Sequence, residues 1–361
     1  MPSPFHSRRH RPVTLGIPCR ASGLSAGIGA ATLMAQTEID REASVLSRMI
    51  AFWRRRFDTA RGRPPVRRLV FVLGGGGSRG ACTVGALRAL LEAGIKPDAV
   101  VGCSSGAFNA VALAMSPDLE TIDRLAQVWR SIRNRDLFNR NPLRMAYRYA
   151  RSRNSFFDSR YLRALAARHL PPTFDQLALP CAILATNLTL ARKEVFTSGS
   201  VPDAVAASSA IPGVFNPYRI GDCEYVDGAV AENVGFNEAI ALGATSIVAI
   251  DNSTANPLRR PPSSNLPGVL AQSIQIMLAQ RTLEEYQRYA DRTEIALLVP
   301  NVEFGTVGTD FSHCERLIEE AYARTRAFLR EGGGLRPDGQ VEAGIHYLLP
   351  ARPATIVSLA Q

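Results

Sequence analysis

The sequence lacks several features that would place it in a common class of protein. It contains no run of 18 apolar residues, so no transmembrane helix is expected. Its six cysteines are scattered, without a Cys-x-x-Cys pair or a histidine at metal spacing, so neither a metal site nor a cofactor is expected. The 361 residues, 46% of them hydrophobic, predict a globular protein with a substantial core.

The net charge of +10 is concentrated near the amino terminus. Residues 1–68 hold 13 arginines and four acidic residues, whereas the rest of the chain has 29 basic and 28 acidic residues. The body of the chain is therefore nearly neutral, and it has no basic stripe interleaved with aromatic residues, which argues against nucleic-acid binding. We expect residues 1–37 to form a basic, disordered leader.

Residues 38–66 predict a basic amphipathic helix followed by a linker. Within residues 38–58, apolar side chains from Ile39 to Phe57 recur at steps of three or four, and arginines lie mostly between them. Such a helix either docks on its own domain or makes peripheral contact with an anionic membrane. A cytoplasmic or peripheral-membrane location is expected on this basis.

From residue 67 onward, short apolar runs alternate with segments of helical periodicity. This alternation predicts one three-layer α/β/α domain with a mainly parallel central sheet over residues 67–331, followed by a C-terminal tail over 332–361. Residues 134–172 interrupt the alternation and predict an insertion beside the substrate cleft.

Two segments of this domain carry the chemistry. The first follows the apolar run 68–73 and contains Gly75, Gly76, Gly77, Arg79 and Gly80 ahead of a helical segment. Consecutive glycine amides at a helix start form an anion-binding site, suited to a phosphate or to the oxyanion of acyl transfer. A phosphate loop would place Lys and then Ser or Thr after the glycines, and a dinucleotide site would place an acid at the end of the next strand; here Arg79-Gly80 follows the glycines and Asp98 opens the next strand, so acyl transfer is favoured.

The second segment, one βαβ unit later, is a G-x-S-x-G sequence with Gly102 and Gly106 at its ends and Ser104 at its centre. A strand that turns sharply into a helix here exposes the serine hydroxyl at the helix start, where negative charge is favoured. The pattern predicts that Ser104 is a nucleophile. The neighbouring Cys103 is out of phase with the flanking glycines.

A serine nucleophile needs a base, and two candidates are present. His313 has the chain order of an α/β-hydrolase triad, although its polar helical context is typical of a surface residue. Asp227, which follows a short predicted strand and precedes Gly228, is the stronger candidate.

Four ordered segments make the chain resemble the patatin-like phospholipase family. They are the glycine loop with Arg79-Gly80, the elbow extended through Asn109, the stretch from Ala207 to Phe215, and the Asp227-Gly228 pair with Asn233. The resemblance implies a Ser104/Asp227 dyad, an oxyanion held by the amides of Gly75, Gly76 and Gly77, and a loop fixed by Arg79. It also implies a metal-free hydrolase that cleaves lipid esters through an acyl-enzyme on Ser104.

The chain departs from the family pattern at two places. Many members begin the glycine loop with Asp where this chain has Gly74, and Gly228-Ala229 replaces two glycines after the acid. The first departure leaves open how the loop is anchored. Two other functions stay open: a Ser/His/Asp esterase that uses His313, and a non-catalytic membrane-surface protein that acts through its basic helix.

Overall fold

The computed structural model describes residues 67–138, 150, 155–253, 265–302, 308–331 and 334–349. The expected leader and the amphipathic helix lie outside the described residues. The strands are β1 (Leu69–Leu73), β2 (Ala99–Cys103), β3 (Ser155–Phe157), β4 (Cys181–Asn187), β5 (Arg192–Phe196), β6 (Gly213–Phe215), β7 (Tyr218–Ile220), β8 (Cys223–Asp227), β9 (Ser246–Ile250), β10 (Glu294–Val299) and β11 (Gly344–Tyr347).

The α-helices of the described residues are α1 (Gly80–Glu92), α2 (Ser105–Met115), α3 (Leu119–Ser131), α4 (Asn134–Leu137), α5 (Arg160–His169), α6 (Val201–Ser208), α7 (Phe236–Ala241), α8 (Leu266–Ala290) and α9 (Cys314–Glu331). Several of them begin at polar caps that the sequence supplies. The Asp118 carboxylate accepts a hydrogen bond from Thr121 N at 2.7 Å before α3, and Ser200 caps α6, which has a proline in its first turn.

Within the described residues the central sheet has nine strands and is mainly parallel. Its main path runs β11-β10-β9-β1-β2-β4-β8-β7, and β5 pairs with β4 off that path. All pairs from β11 to β4 are parallel, whereas β5, β7 and β8 join antiparallel. Because β1, β2 and β9 run in one direction, the loops that follow them meet at the same edge, which is called the carboxyl edge below.

Helices cover both faces of the sheet. One buried cluster includes Phe71, Leu90 and Leu113 and joins the sheet to α1, α2, α3 and α9. A second cluster on the other face includes Val72, Phe236 and Leu297 and joins it to α7, with Tyr286 and Tyr289 of α8 packed against it. Strand side chains alternate between these two faces, so the expected three-layer α/β/α architecture is confirmed.

Strand β4 determines how the antiparallel part of the sheet meets the parallel part. Its residues 181–184 pair with β2, residues 185–187 pair with β8, and residues 183–187 pair with β5. A strand has only two edges, and both Leu184 and Ala185 pair with β5. Strands β2 and β8 therefore follow one another along the other edge of β4, and Asp227, the partner of Ala185, lies just beyond the end of β2.

The carboxyl-terminal segment differs from the expected tail. Strand β11 lies within residues 332–361 and forms the parallel edge of the central sheet beside β10. Leu348 is buried, and its backbone N–H donates to Val299 O at 2.8 Å. The sheet thus extends past residue 331, because a short strand at a sheet edge can be held by backbone hydrogen bonds without a long apolar run.

Candidate active site

Ser104 lies at a sharp turn between β2 and α2. Its backbone has φ 54° and ψ −126°, a conformation that residues with a Cβ rarely adopt. Such a residue costs on the order of 1–3 kcal/mol and persists only where its surroundings hold it in place. The backbone N–H of Ser104 donates to Ser208 Oγ at 2.8 Å, and Ser104 O accepts from Ala107 N at 2.9 Å.

The two glycines of this elbow are required by close contacts. A Cβ at Gly102 would lie 2.6 Å from Gly106 O, and a Cβ at Gly106 would lie 2.0 Å from Leu73 O. No side chain fits either space, because carbon and oxygen atoms do not approach so closely. The turn therefore brings α2 directly against the end of β1, where the glycine loop begins.

The Ser104 hydroxyl donates a hydrogen bond to the Asp227 carboxylate. The distance from Ser104 Oγ to Asp227 Oδ2 is 2.6 Å, and each residue is only 4% exposed. The other carboxylate oxygen, Oδ1, accepts from Ala229 N at 2.9 Å. The backbone of Asp227 is also held, since its N–H donates to Ala210 O and its carbonyl accepts from Thr186 Oγ1, both at 2.9 Å.

Burial makes Asp227 a stronger base than an exposed carboxylate. Removal from water disfavours the charged form and raises the pKa of Asp227 from 3.8 to about 6, although the bonds from Ser104 and from Ala229 N oppose the rise. A carboxylate with this pKa is ionised at neutral pH and accepts a proton more readily than one with an ordinary value.

The glycine loop brings its residues beside Ser104. A Cβ at Gly75 would lie 2.9 Å from the Ser104 Cβ. The Gly75 N–H, however, donates to Asn233 Oδ1 at 3.0 Å in a buried contact. An amide has one proton, so the expectation that Gly75 N donates to the oxyanion is corrected: this amide anchors the loop.

Gly76 and Gly77 have amides that remain available. No described residue accepts a hydrogen bond from either N–H, and Gly77 has a φ of 60°, which favours glycine. Ser78 N donates to Gly308 O at 2.8 Å and Arg79 N donates to Gly76 O at 3.2 Å, so the loop is held from both sides of this pair. These two amides are the candidate oxyanion donors of the described site.

Arg79 and Gly80 join the loop to α1. Arg79 is buried at 6% exposure. A Cβ at Gly80 would lie 2.7 Å from the Ser105 Cβ. The Asn109 side chain spans this junction, because its Nδ2 donates to Gly80 O at 2.9 Å and its Oδ1 accepts from Trp129 Nε1 at 2.8 Å. Loop, elbow helix and α3 are thereby held together.

A buried network of hydrogen bonds behind the glycine loop holds a carboxylate beside Gly74, the position at which many family members have Asp. Asn233 Nδ2 donates to Asp251 Oδ1 and to Ser253 Oγ, each at 3.0 Å, and Ser253 Oγ bonds Asp251 in turn. A Cβ at Gly74 would lie 3.1 Å from Asp251 Oδ1. The carboxylate at the end of β9 thus occupies the space beside Gly74, and it anchors the loop through Asn233.

Three functional contacts could not be assigned from the sequence. Asn233 and Ser208 lie in two of the segments that carry the family resemblance, but nothing in those segments indicates that Asn233 accepts from Gly75 N or that Ser208 accepts from Ser104 N. Asp251 gave one usable signal, because it is an acid directly after a buried strand in a sheet whose carboxyl edge carries the site.

Neither His313 nor Cys103 has the environment of a catalytic group here. The His313 side chain is 47% exposed, and its Nε2 lies 3.9 Å from Asp310 Oδ2. Cys103 is buried, its Sγ lies 3.5 Å from Glu232 O, and burial raises the pKa of its thiol well above 9.0. A neutral buried thiol is a poor nucleophile.

The described parts of the insertion 134–172 pack against the domain through aromatic rings. The ring of Phe138 lies 4.9 Å from that of Phe157, 5.8 Å from Phe215 and 6.1 Å from Phe311, measured between centroids. Phe311 also stacks on Trp129 at 6.0 Å. This cluster connects the insertion to the end of β6 at Phe215 and to Phe311, which follows Gly308. Its place beside the substrate cleft stays a prediction.

Comparison with known proteins gives a family match over the region that holds the site. The family model described as "Patatin-like phospholipase" matches residues 71–240, which include the glycine loop, the elbow and Asp227. The lysophospholipase NTE1 of Mycosarcoma maydis is 28% identical over 50% of this chain and 9% of its own length. Patatin-like phospholipase domain-containing protein 7 of Rattus norvegicus is 28% identical over 51% of this chain and 13% of its own length.

The chain therefore spans about a tenth of the length of these curated relatives. Among solved structures, human GIVD cytosolic phospholipase A2 is similar over 80% of this chain and 62% of that chain, at 14% identity and a TM-score of 0.45. VipD from Legionella pneumophila is similar over 74% and 67%, at 15% identity and a TM-score of 0.38.

Proposed function

Because the chain carries a patatin-like phospholipase domain at residues 71–240, we propose that it is a lipid acyl hydrolase that uses Ser104 as nucleophile and Asp227 as base. The observation that carries this proposal is the 2.6 Å bond between Ser104 Oγ and Asp227 Oδ2 at a strained, buried elbow. Nucleophile and base within hydrogen-bond reach are the first requirement of nucleophilic catalysis.

The first half of the reaction transfers the acyl group. Ser104 Oγ attacks the ester carbonyl carbon while its proton passes to Asp227 Oδ2. The carbonyl oxygen becomes an oxyanion, which the amides of Gly76 and Gly77 are placed to stabilise beside the start of α1. The intermediate then collapses: the bond to the leaving alcohol breaks, Asp227 returns the proton to that oxygen, and the acyl group remains on Ser104.

The second half releases the fatty acid. A water molecule attacks the acyl carbon and gives a proton to Asp227. Collapse of the second oxyanion breaks the bond to Ser104 Oγ, which takes the proton back. No group beyond the chain and water is needed to balance these steps. Since the relatives named above are called lysophospholipase and patatin-like phospholipase, phospholipids and lysophospholipids are the proposed substrates.

Hydrolysis by matched variants tests this assignment. Purified protein is assayed with a short-chain p-nitrophenyl ester and with phosphatidylcholine and lysophosphatidylcholine. Ser104→Ala and Asp227→Asn should each lower kcat/KM by about 10³-fold or more, because each removes a reacting group. His313→Ala is the matched control and should keep the wild-type rate, whereas a triad base would lose several orders of magnitude.

Two outcomes contradict the proposal. Wild-type rates in both Ser104→Ala and Asp227→Asn would exclude the dyad, and a large loss in His313→Ala would favour the triad esterase instead. The non-catalytic alternative is addressed by a fluorophosphonate probe, which should label wild-type protein and not Ser104→Ala. Absence of labelling in folded wild-type protein would favour that alternative.

A further inference from the structure

Helix α8 exposes apolar side chains over its first half. The exposed fractions are 71% for Leu266, 55% for Leu270, 56% for Ile274 and 70% for Met277, and Val269 and Ile276 are also exposed. The opposite, half-buried side of the same turns carries Gly268, Ala271, Gln272 and Gln275. This is the reverse of the usual surface helix, whose apolar side faces the protein.

The pattern changes in the second half of α8. Ala279 and Thr282 are buried, Tyr286 packs on the sheet, and Arg281 and Arg288 are exposed. Residues 279–290 therefore behave as an ordinary helix docked on the domain. The inverted pattern is confined to residues 266–278, a stretch of about 18 Å at 1.5 Å per residue.

The topology places this exposed stretch at the carboxyl edge of the sheet. Helix α8 connects β9 to the parallel neighbour β10, so it runs back from the carboxyl edge, where β9 ends, to the start of β10 at Glu294. A six-residue strand such as β10 is about 20 Å long. The docked residues 279–290 already match that length, so residues 266–278 extend beyond the edge that also carries Ser104.

The chemistry of the exposed stretch favours a lipid surface as its partner. No charged residue occurs between Asn265 and Gln280, and Arg259 and Arg260 lie shortly before the helix in sequence. The exposed apolar residues cover an arc of about 160° at 3.6 residues per turn, wider than the narrow, charge-flanked seam of a helix pair between two copies. Apolar residues with flanking cations suit the interface of an anionic bilayer.

We propose that residues 266–278 of α8 form a lipid-docking element that inserts its exposed apolar side into the bilayer interface and holds the Ser104 edge of the domain against it. The proposal rests on the proposed function above, because a lipid ester stays in the bilayer and its hydrolase must reach it there. The partner of the site is then a membrane surface with anionic headgroups.

Vesicle binding by the full chain tests the docking element. Leu270→Gln/Met277→Gln places two polar helix formers on the exposed side. The matched control is Met115→Gln/Leu119→Gln. Met115 is 38% exposed and ends α2, and Leu119 is 40% exposed and begins α3, so both lie toward the opposite edge of the sheet. All proteins carry Ser104→Ala, so that no product accumulates. In sedimentation with phosphatidylcholine–phosphatidylglycerol vesicles, the first pair should lower the partition coefficient about tenfold or more, and the control should leave it unchanged.

The thermal unfolding midpoints of both variants should match that of the parent, which shows that the fold is intact. Equal vesicle binding by parent and Leu270→Gln/Met277→Gln would overturn the proposal, as would a parent that does not bind vesicles. A parent dimer that this variant dissociates without losing vesicle binding would assign the surface to a second copy. Because binding is measured without hydrolysis, a failure of the proposed acyl hydrolase activity leaves this result readable.

Discussion

At the scale of single residues, the proposed reaction depends on the ionisation of Asp227. The carboxylate is buried, and within the described residues two hydrogen bonds compensate its charge, from Ser104 Oγ and from Ala229 N. Its pKa of about 6 follows from this balance. Because a protonated Asp227 cannot accept the serine proton, the proposed mechanism requires the ionised form.

The pH dependence of kcat/KM follows from the raised pKa of Asp227. We expect a plateau above about pH 7, with a fall of about tenfold per pH unit once the pH drops below about 6. An exposed carboxylate of ordinary pKa would move this limb to about pH 4. The measurement is a pH–rate profile with a p-nitrophenyl ester at substrate concentrations well below KM. A flat profile down to pH 4 would contradict the role of Asp227 as base.

Asn233 is expected to act on the reaction through Gly75 rather than on the substrate. Replacing it with Ala removes the acceptor of Gly75 N and the donor to Asp251, so the glycine loop loses its anchor. We expect kcat to fall about tenfold to a hundredfold with little change in KM, because a displacement of about 1 Å misplaces the oxyanion donors. Steady-state kinetics on a monomeric ester separate the two constants.

Ser253→Ala is the matched control for Asn233→Ala. It removes one of the two acceptors of Asn233 Nδ2 and leaves the bonds to Asp251 and Gly75 in place. Its kcat should stay close to the wild-type value. Equal losses in the two variants would mean that general disruption of the buried cluster, and not the loop anchor, lowers the rate.

At the scale of elements, the elbow depends on how closely α2 approaches β1. The space beside Gly106 is filled by backbone, with Leu73 O only 2.0 Å from the place of a Cβ. Strand β1 cannot move away from α2, since it is paired with β2 on one side and with β9 on the other. The sequence pattern G-x-S-x-G thus reflects a packing requirement in addition to the turn itself.

Substitution of Gly106 by Ala should therefore destabilise the whole domain. We expect a loss of about 3 kcal/mol or more in the free energy of unfolding, as for severe overpacking against backbone. Gly199→Ala is the control: Gly199 has φ 83° and open space around it, so only the conformational cost of about 1–2 kcal/mol applies. Urea unfolding followed by circular dichroism measures both. Equal losses would show that the close approach is not what constrains Gly106.

At the scale of the whole molecule, the sheet brings together residues that are far apart in sequence. Ser104 and Asp227 are separated by 123 positions, and they meet because β2 and β8 follow one another along one edge of β4. Asp251 lies beside Gly74 because β9 pairs with β1, and Asn233 bonds both Asp251 and Gly75 N. The same topology places the exposed half of α8 at the carboxyl edge.

Much of the element order was predictable because the elements have clear patterns. The apolar run 68–73 agrees with β1 within one residue, and the predicted alternation of apolar runs with helical segments matches the observed order of strands and helices. The predicted resemblance to the patatin-like phospholipase family agrees with the family-model match over residues 71–240. Strands β3, β5, β6, β7 and β11 were not predicted, since they are short or half-exposed, show no buried run, and depend for their pairing on neighbouring strands.

The sequence by itself determined the fold class and the resemblance to the patatin-like phospholipase family, and it predicted the pair Ser104 and Asp227, because glycine spacing and apolar periodicity are local properties of a chain. Only the tertiary structure decided how that pair and its loop are used. In the folded chain Gly75 N donates to Asn233, and the Asp251 carboxylate lies beside Gly74, which has no side chain of its own. Burial in the fold also raises the pKa of Asp227. Each of these depends on contacts between distant strands, which no local pattern encodes.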